Sequence, residues 1–187
     1  MIGNSAPDEE EIIRQCQGGD RDRFSVLVER YKTMTYTVAY RMLGDADSAN
    51  DAAQDAFIAA YLSLREFRGG AKFSTWLYRI VMNKCRDQLR ADRHHVPIDE
   101  IADFRADPAR TPEQAASSRE TRDRVQAGLD ALPPDYREVL VLKHIQGLDF
   151  QEISEITGAG VSALKVRAHR GREMLRAAME QAGNSHA

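Results

Sequence analysis

The sequence predicts an all-α protein: two small helical bundles joined by an acidic linker. Three observations carry this reading. Apolar residues recur at steps of three and four through most of the chain, the spacing of a helix with one buried side. Capping residues, glycines and prolines cut those runs into helix-sized lengths with short loops between them. No segment reads as a strand. A chain of 187 residues has room for one domain or two small ones, at roughly 100–200 residues per domain.

The elements follow in order. Asp8 is placed to cap a first helix over residues 8–17, which has acids in its first turn and ends at Gly18-Gly19. Residues 21–43 carry Phe24, Leu27, Val28, Tyr31, Met34, Val38 and Met42 as a helical stripe closed by Gly44. Asp47 or Ser48 caps the third helix, with Ala52, Ala53, Ala56, Phe57, Ala60, Tyr61 and Leu64 on one side and Arg68-Gly69-Gly70 at its end. Ser74 caps the fourth, with Leu77, Ile80, Val81, Lys84, Cys85 and Leu89 at helical spacing. Short loops between four such helices make one bundle, residues 8–95.

Residues 96–111 break the pattern with Pro97, Pro108 and four acids, and read as a linker. Thr111-Pro112-Glu113-Gln114 then has the form of a capping box with Pro at the first helical position. Its helix runs to Leu132, where Pro133-Pro134 stops it. Residues 135–146 form the next helix, apolar at Val139, Leu140 and Leu142, with Gly147 as its C-cap. Asp149-Phe150-Gln151-Glu152 is a second capping box, opening a helix with Ile153 and Ile156 that stops at Gly158. A last helix over residues 162–179 turns Leu164, Ala168, Met174, Leu175 and Ala178 inward. Residues 112–180 are thus a second bundle.

Composition narrows the function. Lys and Arg total 26 against 29 Asp and Glu, net −3, which rules out a uniformly basic nucleic-acid coat. The charge is sorted locally instead. Asp45, Asp47, Asp51 and Asp55 fall in residues 44–55 with no base among them. Residues 65–93 hold eight bases against three acids, net +5, and residues 161–187 hold five against two, net +3. Two basic stretches and one acidic stretch fit an extended partner touched at two places; a solvated helix face explains any one of them alone. Apolar runs such as residues 139–142 are far short of the ~20 residues of a membrane helix, and the acidic start of the chain holds no apolar stretch, so no secretory signal is expected. Cys16 and Cys85 are too few for a disulfide framework or a four-cysteine zinc site and read as buried small hydrophobes in a reducing cytoplasm.

The last two helices carry a specific signal. A short helix, the turn Gly158-Ala159-Gly160 and a longer basic helix have the form of a helix-turn-helix, whose second helix enters the major groove. Lys165, Arg167, Arg170 and Arg172 spread over one broad face of it, opposite Leu164, Ala168 and Leu175. Arg suits bidentate contact with guanine edges and Lys suits phosphates. A basic surface helix with pairs such as Arg170 with Glu173 is the competing reading.

Two blocks extend the signal over essentially the whole chain. The first runs Asp51-Ala-Ala-Gln54-Asp55-Ala-Phe57, then Phe67-Arg68-Gly69-Gly70-Ala71-Lys72-Phe73-Ser74-Thr75-Trp76-Leu77-Tyr78-Arg79-Ile80 to Asn83. The second runs Leu132-Pro133-Pro134-Asp135-Tyr136-Arg137-Glu138, then Gly147-Leu148-Asp149-Phe150-Gln151-Glu152-Ile153 and the basic helix. They resemble regions two and four of bacterial RNA polymerase sigma factors, in the extracytoplasmic-function group of the sigma-70 family. The Phe73 to Ile80 phrase is highly specific; the helix-turn-helix by itself is not.

The resemblance implies a function and its sites. The chain would bind core RNA polymerase at the beta-prime clamp helices and the beta flap, and direct promoter-specific transcription initiation. It would be cytoplasmic and held by an anti-sigma factor that answers to stress or envelope signals. It would catalyse nothing and need no cofactor, metal or small-molecule substrate. Gln54 and Asp55 match the family's core-binding pair, with Asp51, Phe57 and Tyr61 beside them; Phe57 and Tyr61 also suit packing within the bundle. The minus-ten element would meet residues 69–84. There Lys72, Arg79 and Lys84 suit phosphate, Phe73 offers a stacking face, and Ser74 and Asn83 offer hydrogen bonds. Trp76 reads as either core or DNA contact. An amide has both donor and acceptor and can read a base edge, and the resemblance puts the base reader at Asn83. The minus-thirty-five element would meet Ser162, Lys165, Val166, Arg167, His169, Arg170 and Arg172. The stretch Ser162-Ala163-Leu164-Lys165-Val166-Arg167 departs from the usual pattern: Ala163 lacks the hydroxyl of a Thr, Val166 replaces a polar side chain, and His169 stands where an aromatic is common. The segment 96–118, which contains the linker, is net −3, charged like an RNA strand and equally like a solvated tether. The tail after Met179 is expected to be too short for the extra C-terminal domain of some subgroups.

Other sites are weaker. His94-His95 has no nearby Cys and reads as a surface pair. Gly69-Gly70 is not followed by the Gly-Lys-Ser/Thr of a phosphate loop. Two other function classes account for part of the sequence. A stand-alone helix-turn-helix regulator leaves residues 73–83 unexplained, and a helical enzyme or adaptor using the acidic 45–55 face leaves the helix-turn-helix unexplained.

Overall fold

The computed structural model describes residues 8–92 and 112–184, and no strand occurs among them. The helices run α1 (Glu9–Gln17), α2 (Phe24–Leu43), α3 (Ala46–Ser63), a 3-10 turn (Leu64–Glu66) and α4 (Phe73–Asp92), then α5 (Pro112–Asp130), α6 (Pro134–Leu140) running into a π turn (Val141–Ile145), α7 (Phe150–Thr157) and α8 (Val161–Asn184). The expected linker 96–111, the Thr111 cap and the His94-His95 pair lie outside the described residues.

In the first half, α3 turns Ala49, Ala52, Ala53, Ala56 and Ala60 inward. With no bulk beyond Cβ on that side, α3 lies close along α2, whose Leu27, Val38, Ala39 and Met42 are buried. α4 completes the core with Leu77, Val81, Met82 and Cys85, all fully buried. Burial pushes the Cys85 thiol up to about 12. Cys16, expected to be buried, is only half covered. An aromatic cluster anchors the start of α4: Phe73 is 1% exposed, with Tyr31, Trp76 and Phe67 ring centroids at 5.4, 5.5 and 5.7 Å.

In the second half, α6 is the central element. Arg137, Glu138, Val139, Leu140, Val141 and Leu142 are six consecutive buried residues. A surface helix buries one stripe, so α6 must be covered on more than one side, and it packs on both α8 and α2. The two halves therefore meet, and their buried residues form a continuous core. The continuous helix expected over 135–146 instead loosens at its end, where Gln146 N–H bonds Val141 O five residues back. At α5 the close neighbour is α8: a Cβ on Gly128 would lie 2.7 Å from Leu175 Cδ1.

Three local expectations are corrected. α3 is capped by Asp45, whose carboxylate accepts Ser48 N–H at 2.7 Å, and not by Asp47 or Ser48. α4 begins at Phe73, so Ser74 lies inside its first turn and is not the cap. Met174, expected inward on α8, is 38% exposed.

Gly44 closes α2 at φ +80°, and a Cβ there would lie 2.7 Å from the Asp130 carboxylate across the junction of the halves. Gly70 has open space around it. Gly44→Ala should cost about 1–2 kcal/mol from left-handed strain alone. Gly70→Ala should be neutral or gain up to about 1 kcal/mol. Urea unfolding of the two variants checks the contrast.

Candidate polymerase and nucleic-acid interfaces

The outward face of α3 combines charge and apolar surface. Asp51, Gln54 and Asp55 are exposed, and Ile58 and Leu62 follow at helical spacing, 57% and 75% exposed. Large apolar side chains grouped in solvent mark an interaction surface more often than not. The sequence reading missed Ile58 and Leu62. Their signal was present: they continue the step series 51, 55, 58, 62, while the alanines occupy the other side. Of the two aromatics assigned here, Phe57 is half-buried against the core. Tyr61 leans edge-on to Phe24 with ring centroids 5.1 Å apart, and keeps 37% of its surface. Asp55 lies 3.9 Å from Lys84 of α4.

The loop before α4 and the first turns of α4 frame a pocket of about 340 Å³, lined by Glu66, Phe67, Arg68, Trp76, Arg79 and, from α7, Glu155. Trp76 is half-buried, its ring 5.3 Å from that of Phe67. This corrects the assignment of Phe73, whose ring is buried and unavailable for stacking; it supports Trp76 and Phe67 from beneath. Gly69, at φ +72°, lets the loop turn at the pocket rim. Lys72 is exposed and pairs with Glu152 of α7 at 3.1 Å. Ser74 is half-buried and Arg79 exposed. Asn83 is exposed, and its Oδ1 accepts from Arg86 at 2.9 Å. The sequence assigns Glu66, Phe67 and Arg68 no site role: Arg68 marks a helix end, and Phe67 and Arg68 belong to the region-two block. What brings them to the site is the turn at Gly69 together with the 3-10 turn before it.

The helix-turn-helix is formed by α7, residues 158–160 and α8. Asp149 accepts the Gln151 and Glu152 N–H groups at 2.8 Å each, and Glu152 accepts Asp149 N–H at 3.0 Å, the reciprocal capping box the sequence predicts. Gly158 at φ +74° ends α7. Buried Leu164 and Ala168 fix the rotation of α8, so Ser162, Lys165, Val166, His169, Arg170 and Arg172 all face solvent. Val166 is 50% exposed, apolar surface that the core does not use. Arg167 is partly covered and paired with Asp135 at 3.4 Å. His169 lies 3.5 Å from Glu173. Burial, then the neighbouring Arg172 and Lys143, hold the His144 imidazole below its ordinary range, which favours its neutral form.

One chain thus carries three surfaces: an acidic and apolar helix face, an aromatic pocket walled by both arginines and glutamates, and a cationic second helix of a helix-turn-helix. Residues 27–95 match the family described as Sigma-70 region 2, and residues 122–175 match Sigma-70, region 4. The chain is 41% identical over 174 residues to the ECF RNA polymerase sigma factor SigW of Bacillus subtilis, covering 88% of this chain and 92% of that one. It is 31% identical over 173 residues to the ECF RNA polymerase sigma-E factor of Escherichia coli K12, covering 88% and 90%. This chain is an extracytoplasmic-function sigma factor of the sigma-70 family. A sigma factor is an initiation subunit that directs RNA polymerase to promoters, and not an enzyme. The fold agrees: a solved structure of CnrH in complex with the cytosolic domain of CnrY superposes with a TM-score of 0.69 at 27% identity, covering 91% of this sigma factor and 96% of CnrH. No helix among the described residues is long and apolar enough to cross a membrane.

The Asp45 cap sets the start of the helix that presents Asp51, Gln54 and Asp55. Hydrogen bonds from the Ser48 backbone and side chain hold its carboxyl below the usual range. Its stabilisation is therefore present above the ordinary Asp value and is lost as pH falls through the depressed folded value. Asp45→Ala should cost about 1 kcal/mol at pH 7. The gap to wild type should shrink on acidification, as read by urea unfolding from pH 7 to pH 3.

Proposed function

We propose that this sigma factor divides its work among the three surfaces. Residues 8–95 form region two, 96–111 the linker and 112–180 region four. The α3 face, with Asp51, Gln54, Asp55, Tyr61, Ile58 and Leu62, docks on the beta-prime clamp helices of core polymerase, its acids meeting basic partner residues and its apolar pair supplying buried area. The pocket beside α4 takes an unpaired base of the minus-ten strand: Trp76 and Phe67 offer stacking surface, Lys72, Arg79 and Lys84 meet phosphates, and Asn83 reads a base edge. Unpairing costs a few kcal/mol per extruded base, and stacking on an aromatic returns about 1–3 kcal/mol. The outer face of α8 reads the minus-thirty-five duplex, with Arg170 and Arg172 free for base edges, Lys165 for phosphate and Val166 for a thymine methyl. Region four also meets the beta flap. An anti-sigma factor holds the chain in the cytoplasm until a stress or envelope signal releases it; CnrH, similar in fold, is solved in complex with the cytosolic domain of another protein, CnrY.

The observation that carries this reading is the aromatic pocket of Phe67 and Trp76, with Arg68 and Arg79 in its wall, on the same chain as a helix-turn-helix. A stand-alone regulator needs only the second, and would bind duplex DNA tightly without polymerase. Run-off transcription separates them. Core polymerase plus the wild-type chain should initiate at a defined start site. Asp55→Arg should abolish both initiation and co-purification with core while leaving the circular dichroism unchanged. Undiminished co-purification would remove the α3 assignment.

Asn83→Ala should alter which base is preferred at one minus-ten position while core binding is retained. The measurement is transcription from templates carrying each of the four bases at each minus-ten position, and an unchanged profile would return Asn83 to a surface role.

A further inference from the structure

The pocket beside α4 takes part of its wall from residues 67–72, a loop without regular structure. The 3-10 turn before it ends at Phe67, whose backbone is extended at φ −70° and ψ 111°. A carbonyl at such an exit has no partner within its own element. The partner comes from α1. Gln17 Nε2 donates to Phe67 O at 2.8 Å and to Leu64 O at 2.9 Å, 50 and 47 positions along the chain. A side-chain amide carries two N–H donors, and here each takes one carbonyl. The two carbonyls bracket the turn, so one side chain sets both its length and the tilt of the Phe67 peptide. The mount is firm. Ile12 and Ile13 bury the inner side of α1 in the core, and the Tyr31 hydroxyl of α2 donates to Glu9 at its start. Gln17 also lies ahead of residues 27–95, the stretch that matches region 2.

We propose that Gln17 is a positioning residue for minus-ten capture: from α1, its amide holds Phe67 and the loop that follows in the geometry in which the pocket accepts an unpaired base. The inference rests on the reading of that pocket as the seat of such a base. Phe67 is the link. Its carbonyl is held by Gln17, while its ring stands 5.3 Å from that of Trp76 and 5.7 Å from that of Phe73. The tilt of one peptide therefore decides where one wall of the pocket stands, and Arg68 follows directly in the same wall. Without the amide, the Phe67 carbonyl turns to water and the chain between Leu64 and Gly69 can re-tilt. A binding constellation works only when its members are held to about 0.5 Å. Gln17 itself is half-buried, and α1 has no part in the α3 or α8 surfaces, so its loss leaves core docking and minus-thirty-five reading in place.

The test uses holoenzyme reconstituted from core polymerase and the full chain. The template is a duplex promoter whose non-template strand carries a tetrahydrofuran abasic residue at each minus-ten position in turn. Run-off transcript from the intact template, divided by that from the abasic one, measures what the base contributes at that position, and any loss of folded protein cancels in the ratio. Wild type should give a ratio of about 10 at one position, from stacking of the captured base. Trp76→Ala should bring that ratio to about 1, which assigns the position to the pocket. Gln17→Met keeps the length of the side chain without its donors, and should bring the ratio to about 2 while co-purification with core is retained. Gln17→Asn keeps the amide on a stem one methylene shorter and should fall between Gln17→Met and wild type; it replaces Gln17→Met should that variant be inactive on every template. Gln15→Met removes a bond to Glu11 within the same helix and should match wild type. A wild-type ratio in the Gln17 variant would overturn its role, as would an equal fall in Gln15→Met. If the wild-type ratio is near 1 at every position, or Trp76→Ala leaves it unchanged, the pocket does not seat a base and the role of Gln17 falls with that reading.

Discussion

The guanidinium of Arg137 fixes how the two halves of this sigma factor meet. It is 6% exposed, and a buried cation needs most of its donors matched; both terminal nitrogens are, while Nε has no hydrogen-bond partner. It donates to Met42 O at the end of α2, to Asp130 O at 2.7 Å and to Leu132 O at 3.3 Å, with the Asp130 carboxylate 3.4 Å away. Three carbonyls from two helix ends and the turn before Pro133-Pro134 are thus gathered on one side chain. Burial lowers the Arg137 pKa and raises that of Asp130, while each charge pulls the other back toward ionisation. Removing the arginine would strand those carbonyls in the core, a larger loss than the ion pair itself. With Arg137 in place, α6 is held between α2 and α8, and α7 is carried to α4.

Much of the architecture was legible from the chain because it depends on neighbours in sequence. Helical period, the Asp149 capping box and the glycine turn at residue 158 need only residues a few positions apart. The rotation of α8 followed from Leu164 and Ala168, and with it the outward placement of the bases. The failures share a physical cause. Asp45, Asp47 and Ser48 are chemically equivalent as caps, and only backbone geometry chooses among them. An aromatic at a loop-helix junction suits a base or a core equally, and the packing of Tyr31, Phe67 and Trp76 decided it for Phe73. Met174 has the right spacing for burial, yet it lies at the edge of the contact and keeps 38% of its surface exposed. The roles of Glu152, Glu138 and Tyr78 are set by partners more than fifty positions away, which no local pattern encodes.

Electrostatics here is a matter of place more than of sum. A net charge of −3 would steer the whole molecule only weakly, and the potential of an exposed group fades over about 8–10 Å at physiological salt. What a partner meets is therefore the nearest face: acids on α3, bases around α4, bases again on α8. Beside α4 the charges are mixed, since Lys72 pairs with Glu152 of α7.

The alanine side of α3 has an evolutionary consequence. Because the helix is seated by backbone proximity across Ala49, Ala52, Ala56 and Ala60, its stability owes little to the residues on the far side. Ile58 and Leu62 could be exchanged for other shapes without disturbing the core, whereas any enlargement of the alanines would prise α2 and α3 apart. The two sides of one helix are thus under separate selection. One is frozen by steric necessity, and the other is free to drift or adapt at the pace of whatever surface it must recognise.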